Sequence, residues 1–284
     1  MDLSFIIPAK NEALSIGGVV SKIRTDYPDA QILVVDDGSS DDTARLAEQS
    51  GAEVITHPQS LGNGAAIKSG ARAAKGDVFV FLDGDGQHDP EDIPRLLEQI
   101  ASGYSMAIGA RSSSSHANSA RLAANGLYNV IATLMTGKTI PDLTSGFRAV
   151  HAKKFCEFIY LLPNGFSYPT TITMAFIRSG YPLTFVGIEA KKRKGKSHIR
   201  PLRDGLRFLL IIFKIATLYS PLKLFVPTAG VFFLLGLGYY GYTFFTMGRF
   251  TNMSLLLLSA AVIVFLIGLI SEQITSLLYS NSAD

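Results

Sequence analysis

The sequence predicts an α/β domain whose mostly parallel sheet has helices on both faces, followed by a C-terminal two-helix transmembrane hairpin. Short apolar runs alternate with helical stretches through residues 1–190, and strict β/α alternation favours a parallel sheet. Two long runs without charge then fill most of the remaining chain. Polar residues also follow the ends of several predicted strands, where open α/β sheets bind their ligands.

Each element of the N-terminal domain follows from its period and from the turn residues that bound it. Apolar runs predict strands at 3–8, 31–35, 52–56, 77–82, 105–109 and 183–188. Helical stretches are predicted at 15–27, 41–50, 64–75, 90–101, 122–135 and 170–178. A chain of about 190 residues is long enough for one such domain with its own core.

The C-terminal region, 222–284, has the composition of a membrane hairpin. Leu224 to Gly248 is a run of 25 residues without a charge, and Phe250 to Ser271 is a second run of 22. At a rise of about 1.5 Å per residue, either helix exceeds the ~30 Å thickness of a bilayer core. We therefore predict spans at about 224–247 and 253–272. A buried core helix is the alternative, but two adjacent runs of this length argue against it.

Charge is distributed unevenly along this chain of formal net charge +3. Residues 191–207 hold eight Lys or Arg against one acid, Asp204. By the positive-inside rule, this cluster keeps domain 1–198 and the C-terminus in the cytoplasm. We expect 199–221 to form an amphipathic helix on the membrane surface, although basic flanks also orient membrane proteins that have no such helix. The single cysteine, Cys156, excludes an internal disulfide and fits a reducing compartment.

The strongest chemical signal is Asp83-Gly84-Asp85, directly after the predicted strand 77–82. Two carboxylates at the carboxyl end of a strand offer hard oxygen ligands to Mg²⁺ or Mn²⁺, whose remaining positions substrate phosphate oxygens would fill. Gly84 permits a tight turn and the close approach of a ligand. The alternative is an acidic turn without function, because a bare D-x-D is a weak motif.

Weaker signals lie at other strand ends. Asp36 and Asp37 can accept hydrogen bonds from a ribose or a base, whereas Asp41 fits a helix cap. Gly62-Asn63-Gly64 opens a predicted helix, and a helix-entry turn explains it as well as phosphate binding does. The sequence has neither a G-x-G-x-x-G fingerprint nor a P-loop. We expect four of the five histidines to be ordinary surface or loop residues: His57, His88, His116, His151 and His198.

Six motifs occur in a fixed order: PAKNE at 8–12, VVDDGSSDDT at 34–43, FLDGDGQHDP at 81–90, IGAR at 108–111, DLTSGFRAVH at 142–151 and KRKGKSHI at 192–199. In this order they resemble the family 2 glycosyltransferases of the GT-A fold. The similarity is to the branch of dolichyl-phosphate mannose synthases and polyprenyl-phosphate glucosyltransferases. It extends from Met1 to about Arg207, and the paired spans match the membrane-anchored members.

The resemblance implies roles for individual residues. The nucleotide-diphosphate sugar would contact Pro8, Lys10, Glu12, Val35, Asp37, Gly84 and Gln87. Asp83, Asp85 and Gln87 would bind Mg²⁺ or Mn²⁺, and the expected catalytic residues are Asp83, Asp85 and Arg111. The acceptor phosphate would contact Ser145, Arg148, Lys192, Arg193, Ser197 and His198.

Two residues depart from the family pattern, and one segment has two explanations. Lys10 stands where mannose synthases often have Tyr, which leaves the base and the sugar open. His198 replaces a Lys of the basic loop. For 142–148, a structural turn held by an Asp–Arg pair explains the residues as well as contact with an acceptor phosphate does.

Together these features predict a membrane-anchored, inverting, metal-dependent hexosyltransferase. The donor would be UDP-glucose or GDP-mannose, and the acceptor undecaprenyl or dolichyl phosphate, which is ionised near neutral pH and needs little base catalysis. The alternatives are transfer to a hydroxyl of another lipid or glycan, and a non-catalytic membrane adaptor on the same fold. We expect no nucleic acid partner. A homo-oligomer is compatible with these features, which do not set the number of subunits.

Overall fold

The structure is a computed structural model that describes residues 1–111, 126, 129–130, 132–165, 167–189, 213, 217 and 219–280. The chain divides into two compact units, Met1–Phe208 and Leu209–Asp284. The predicted interfacial helix at 199–221 lies mostly outside the described residues, and so does the basic loop at 191–198. Both stay predictions.

Within its described residues, the first unit is built on one sheet of seven strands. They are β1 (Leu3–Ala9), β2 (Gln31–Asp36), β3 (Glu53–Thr56), β4 (Val78–Phe81), β5 (Met106–Arg111), β6 (Arg148–His151) and β7 (Leu183–Ile188). The helices with described bounds in this unit are α1 (Ile16–Asp26), α2 (Thr43–Gln49), α3 (Asn63–Ala73), α4 (Ile93–Ala101), α5 (Ala152–Cys156) and α6 (Tyr168–Arg178). Single 3₁₀ turns occur at Pro90–Asp92 and Ile159–Leu161, and residues 132–136 are also helical.

The strand order is β3-β2-β1-β4-β6-β5-β7. Every neighbouring pair is parallel except the two pairs that β6 makes with β4 and β5. This arrangement confirms the predicted α/β class and its mostly parallel sheet. The sequence did not predict β6, because its four residues follow a turn-like Thr-Ser-Gly segment and begin with the charged Arg148.

The core lies on both faces of the central strands. β1 and β4 are almost wholly buried, as strands covered by helices on both faces must be. Ile16, Val20 and Ile23 present the apolar face of α1, and Ile93, Leu96 and Ile100 present that of α4. Their packing on the sheet holds the carboxyl ends of β1, β2, β4 and β5 at one edge, where the polar loops lie.

The second unit is a helical hairpin of α7 (Leu222–Met247) and α8 (Asn252–Ser280). Both helices are long and apolar enough to cross a membrane. They pack closely at two glycines, because a Cβ at Gly236 would lie 2.9 Å from Leu258 and one at Gly268 would lie 2.6 Å from Phe225. Gly248 ends α7 with φ 63°, a conformation that favours glycine.

The second helix is longer than predicted, since α8 continues past residue 272 to Ser280. Glu272 therefore lies inside the helix. Its Oε2 accepts hydrogen bonds from the Leu222 N–H and the Ser220 hydroxyl, both at 3.3 Å. A carboxylate here satisfies a backbone donor at the start of α7, where the helix dipole also favours negative charge.

Candidate active site

The polar loops at the edge of the sheet surround an open cavity of about 670 Å³. Nine of the residues predicted to form the site line this cavity: Pro8, Lys10, Glu12, Asp37, Asp83, Gly84, Asp85, Gln87 and Arg111. They come from the ends of four different strands, as expected for a ligand site in an open α/β sheet. Ala9, Ser60, Gly62, Asn63, Ala66 and Thr144 complete the lining.

The two carboxylates after β4 lie on a tightly packed turn. A Cβ at Gly84 would lie 3.2 Å from Ala9 and 3.2 Å from Ile16, so any side chain there would be crowded. The Ser15 hydroxyl donates to the Gly84 carbonyl at 2.8 Å, and the Gln87 N–H donates to Asp85 Oδ1 at 3.0 Å. The Asp83 side chain stays 38% exposed and is therefore accessible to a ligand.

His88 is buried behind this turn, contrary to the expectation of an ordinary surface or loop histidine. Its Nε2 lies 3.5 Å from Asp83 Oδ2, and its ring stacks on Phe147 with centroids 5.0 Å apart. Its Nδ1 has no hydrogen-bond partner among the described residues. The burial follows from Phe147, 59 positions further along the chain, so the local sequence pattern gave no signal of it.

Arg111 ends β5 and forms a bidentate ion pair with Asp142. Its Nε donates to Asp142 Oδ2 at 2.7 Å and its Nη2 to Oδ1 at 3.1 Å, while Nη2 also donates to the Thr144 hydroxyl at 2.7 Å. Burial alone would lower the pKa of Arg111, but the hydrogen bonds and charge of Asp142 outweigh it and raise that pKa. For Asp142 the same pair lowers the pKa against the opposing effect of burial. Arg111 therefore presents a fixed positive charge to the cavity.

Arg148 and Ser145 do not reach the cavity, although both were predicted to bind the acceptor phosphate. Both side chains are fully buried. The Arg148 guanidinium donates to the carbonyls of Ser145 and Pro169 and to the Thr173 hydroxyl. The alternative of a structural turn fits this geometry, with one correction: the aspartate of the turn, Asp142, pairs with Arg111 rather than with Arg148.

Asp37 is buried, and its carboxylate is hydrogen-bonded to groups of the protein. It accepts hydrogen bonds from His57 Nδ1 at 2.8 Å, the Ser60 hydroxyl at 2.7 Å, and the N–H groups of Leu61 at 2.8 Å and Gly62 at 2.9 Å. Burial alone would raise the pKa of Asp37, but these hydrogen bonds outweigh it and lower the pKa to about 2. Asp37 thereby shapes the 60–62 wall of the cavity.

The structure places two further residues differently from the expectation. His57 is a buried partner of Asp37 rather than a surface residue, and its Nε2 is 2.9 Å from the Ser69 hydroxyl. Val35, predicted to contact the nucleotide, is fully buried within β2 and does not line the cavity.

The start of α3 is not a phosphate cradle. The N–H groups of Gly64 and Ala65 donate to the carbonyls of Gly165 and Asn164, at 3.2 and 2.9 Å. Side chains at Gly62 or Gly64 would collide with this 163–165 turn. The alternative of a helix-entry turn is therefore the better interpretation. Four predicted acceptor residues fall outside the described residues: Lys192, Arg193, Ser197 and His198.

The donor set of the cavity fits a divalent cation. Asp83, Asp85 and Gln87 offer hard oxygen atoms, the type that Mg²⁺ and Mn²⁺ prefer. In the part of the chain that the structure describes, no group of three His, Cys, Asp or Glu residues could enclose a metal ion. Two carboxylates alone would leave coordination positions for substrate oxygens, as in Mg²⁺ sites that bind phosphates.

Comparison with known protein families gives two matches. The profile of glycosyl transferase family 2 matches residues 4–158, and the profile of the GtrB C-terminal hairpin matches residues 220–277. The first match covers all the strand ends that carry the predicted metal and nucleotide ligands. The second covers the helical hairpin.

Individual relatives agree with these profiles. The glycosyltransferase AglJ of Haloferax volcanii is 29% identical over 96% of this chain and 93% of its own length. An undecaprenyl-phosphate mannosyltransferase of Micrococcus luteus is 30% identical over 71% of this chain and 93% of its own length. A dolichol-phosphate mannosyltransferase of Pyrococcus furiosus is 32% identical over 74% of this chain, which spans 64% of that protein.

Among solved structures, glucosyl-3-phosphoglycerate synthase from Mycobacterium tuberculosis, in complex with Mn²⁺, UDP-glucose and phosphoglyceric acid, has a TM-score of 0.62. It is 22% identical and covers 76% of this chain and 78% of its own. At this identity the likeness concerns the fold alone, and it supports the GT-A arrangement. The chain belongs to glycosyl transferase family 2, in its polyprenyl-phosphate branch, and carries a GtrB-type C-terminal hairpin.

Proposed function

We propose that this enzyme transfers a hexose from UDP-glucose or GDP-mannose to undecaprenyl or dolichyl phosphate, with inversion at the sugar. The observation that carries the proposal is the pair Asp83 and Asp85 in an open cavity beside the cations Lys10 and Arg111, on a chain with an apolar hairpin. A nucleotide-diphosphate donor needs the carboxylates and cations of the cavity. A lipid acceptor explains the apolar hairpin.

The donor fits the cavity by charge. Its diphosphate leaves with increasing negative charge, which a bound Mg²⁺ or Mn²⁺ would offset. Asp83, Asp85 and Gln87 would hold that ion. Arg111 adds a cation whose orientation is fixed by its bonds to Asp142 and Thr144. The M. tuberculosis relative binds UDP-glucose together with Mn²⁺ on the same fold, which supports this assignment.

The proposed acceptor is a phosphate rather than a hydroxyl. A phosphate monoester is ionised near neutral pH, with its second pKa at about 6, so it can attack without a general base. The names of the M. luteus and P. furiosus relatives specify polyprenyl-type lipid phosphates. The basic segment 191–198 precedes the hairpin in the sequence and offers cationic side chains for a phosphate. We assign Lys192, Arg193, Ser197 and His198 to acceptor binding.

The same segment sets the proposed orientation in the membrane. Eight basic residues at 191–207 favour the cytoplasmic side. The acceptor would therefore be glycosylated on the cytoplasmic leaflet. A non-catalytic adaptor is disfavoured, because an adaptor has no use for carboxylates held open in a cleft.

The proposal is tested with the purified full-length chain in lipid vesicles that contain undecaprenyl phosphate. Each of a panel of labelled nucleotide sugars is added with Mn²⁺ or Mg²⁺, and the lipid fraction is analysed for label and for anomeric configuration by NMR. We expect label from one UDP- or GDP-hexose, with inverted configuration and only with a divalent ion. Retained configuration would contradict inversion, and lipid labelling in excess chelator would contradict the metal assignment.

A further inference from the structure

Asn11 has an unusual backbone conformation beside the donor cavity. Its φ is +55°, and among the described residues only Asn11 and Ser167 combine a positive φ with a side chain. The left-handed region is sparsely populated by residues other than glycine, although asparagine tolerates it better than most. Such a conformation persists when surrounding contacts impose it, and it often occurs at functional sites.

The contacts that impose it come from the loop after β2. The Asn11 N–H donates to the Ser39 hydroxyl at 2.9 Å, and the Ser40 N–H donates back to Asn11 Oδ1 at 2.8 Å. The two loops thus exchange a reciprocal pair of hydrogen bonds through the backbone and side chain of one asparagine.

Further bonds between the same loops follow directly along the chain. The Glu12 N–H donates to the Thr43 hydroxyl at 2.8 Å, and the Ala13 N–H donates to Asp41 Oδ2 at 3.3 Å. At the other end, the Asp37 N–H donates to the Ala9 carbonyl at 2.9 Å. The chain from Ala9 to Ala13 is therefore bonded at several points to the chain from Asp37 to Thr43, between the end of β1 and the start of α2.

Asn11 itself takes no part in lining the cavity, whereas its two neighbours do. Lys10 and Glu12 are both lining residues, and Asp37 lines the same cavity from the other loop. The Asn11 side chain is directed instead at Ser40. A residue that joins two walls of a site without touching its contents acts on the position of the residues that do.

We infer that Asn11 is a positioning residue for donor binding: it locks the Lys10–Glu12 segment to the loop after β2 and so preorganises the nucleotide side of the cavity. The inference rests on the proposed function, because it assigns the cavity to a nucleotide-diphosphate sugar. Preorganisation of this kind raises affinity by removing the cost of ordering a loop during binding.

Two substitutions separate the backbone contribution from the side-chain contribution. Asn11→Gly keeps access to the positive φ but removes the acceptor of the Ser40 bond. Asn11→Ala removes the acceptor and also disfavours the conformation. Leu14→Ala is the matched control, since Leu14 lies in the same loop and is 91% exposed.

The experiment measures binding of UDP and of GDP, each with Mn²⁺, to the full-length chain by calorimetry, with thermal unfolding and steady-state kinetics in parallel. For the nucleotide that the unaltered chain binds, we expect Asn11→Ala to weaken binding roughly tenfold, Asn11→Gly about threefold, and Leu14→Ala not at all. The KM for the donor should rise while the KM for polyprenyl phosphate and the melting temperature change little.

Three results would overturn the inference. Unchanged affinity in Asn11→Ala would show that the link does not serve donor binding. An equal rise in the KM for the donor and in the KM for polyprenyl phosphate, with a lower melting temperature, would show a purely structural role. If the unaltered chain binds neither nucleotide, the assignment of the cavity to a nucleotide-diphosphate sugar fails together with the inference. This outcome is distinguishable because it is seen without any substitution.

Discussion

At the residue scale, the aspartates that follow β2 and β4 differ in their surroundings. The Asp37 carboxylate is hydrogen-bonded within the protein. It accepts four hydrogen bonds, from His57, Ser60 and two backbone N–H groups. Asp83 follows β4 and keeps an exposed carboxylate. Both follow apolar strands and both line the cavity, so the motif alone does not show which carboxylate is buried in hydrogen bonds and which remains accessible. The three-dimensional contacts do.

Removal of the half-buried Asp85 carboxylate should greatly reduce turnover without unfolding the chain. For Asp85→Ala we expect a loss of at least ~100-fold in kcat, the scale seen when one electrostatic stabiliser is deleted. Asp42→Ala is the control, because Asp42 is an exposed acid that pairs with Arg45 on the surface. Activity is measured with saturating donor and Mn²⁺. Full turnover in Asp85→Ala would refute the role of the pair.

The low pKa of Asp37 predicts a specific pH dependence of stability. Because the folded-state pKa of about 2 lies below the ordinary value of 3.8, the ionised carboxylate stabilises the fold above about pH 4 and loses this effect as the pH falls towards 2. The contribution is on the order of 2 kcal/mol. In urea unfolding, the advantage of the unaltered chain over Asp37→Asn should shrink between pH 5 and pH 3. A constant difference would contradict the assignment.

At the element scale, the strands and helices with a clear period could be predicted, and the irregular connections could not. The predicted strand 183–188 coincides with β7, and the helix predicted at 15–27 contains α1. The strand β6 had no such signal, since its inward-facing Arg148 breaks the apolar pattern. The burial of His57 and His88 and the loop contacts of α3 depend on residues distant in the chain, so local patterns could not reveal them.

The close packing of α3 against the 163–165 turn predicts different effects for two helical glycines. In Gly64→Ala the new methyl group would meet the Pro163 carbonyl, and we expect a loss of about 1–3 kcal/mol in the free energy of unfolding. Gly18→Ala in α1 has open space around the new Cβ and should stabilise the protein by up to about 1 kcal/mol. Thermal or urea unfolding measures both. Equal effects of the two substitutions would contradict the described packing.

At the scale of the whole molecule, a catalytic unit and a membrane hairpin are joined through a basic segment. The hairpin has an apolar surface with many exposed side chains, among them Leu234, Phe245 and Ile270, which suits contact with lipid. Its family match and composition agree with the span prediction. This organisation explains how one chain combines a water-soluble donor with a lipid acceptor.

The orientation of the chain can be tested by cysteine labelling. The turn between α7 and α8 should face the outside and residues 1–207 the cytoplasm. On intact cells, an impermeant thiol reagent should label Thr251→Cys, while the native Cys156 stays unlabelled. Ser113→Cys serves as the cytoplasmic control. Its labelling on intact cells would reverse the orientation, and its labelling after permeabilisation shows that the site is reactive.

The most direct test of the account compares a lipid phosphate with the corresponding alcohol. The purified chain, with Mn²⁺ and the labelled donor that it uses, is offered undecaprenyl phosphate or undecaprenol in otherwise identical vesicles. We predict transfer of label to the phosphate, no transfer to the alcohol, and loss of transfer in Asp85→Ala. Transfer to the alcohol at a comparable rate, or no transfer to either lipid while the donor is hydrolysed, would contradict a polyprenyl-phosphate hexosyltransferase.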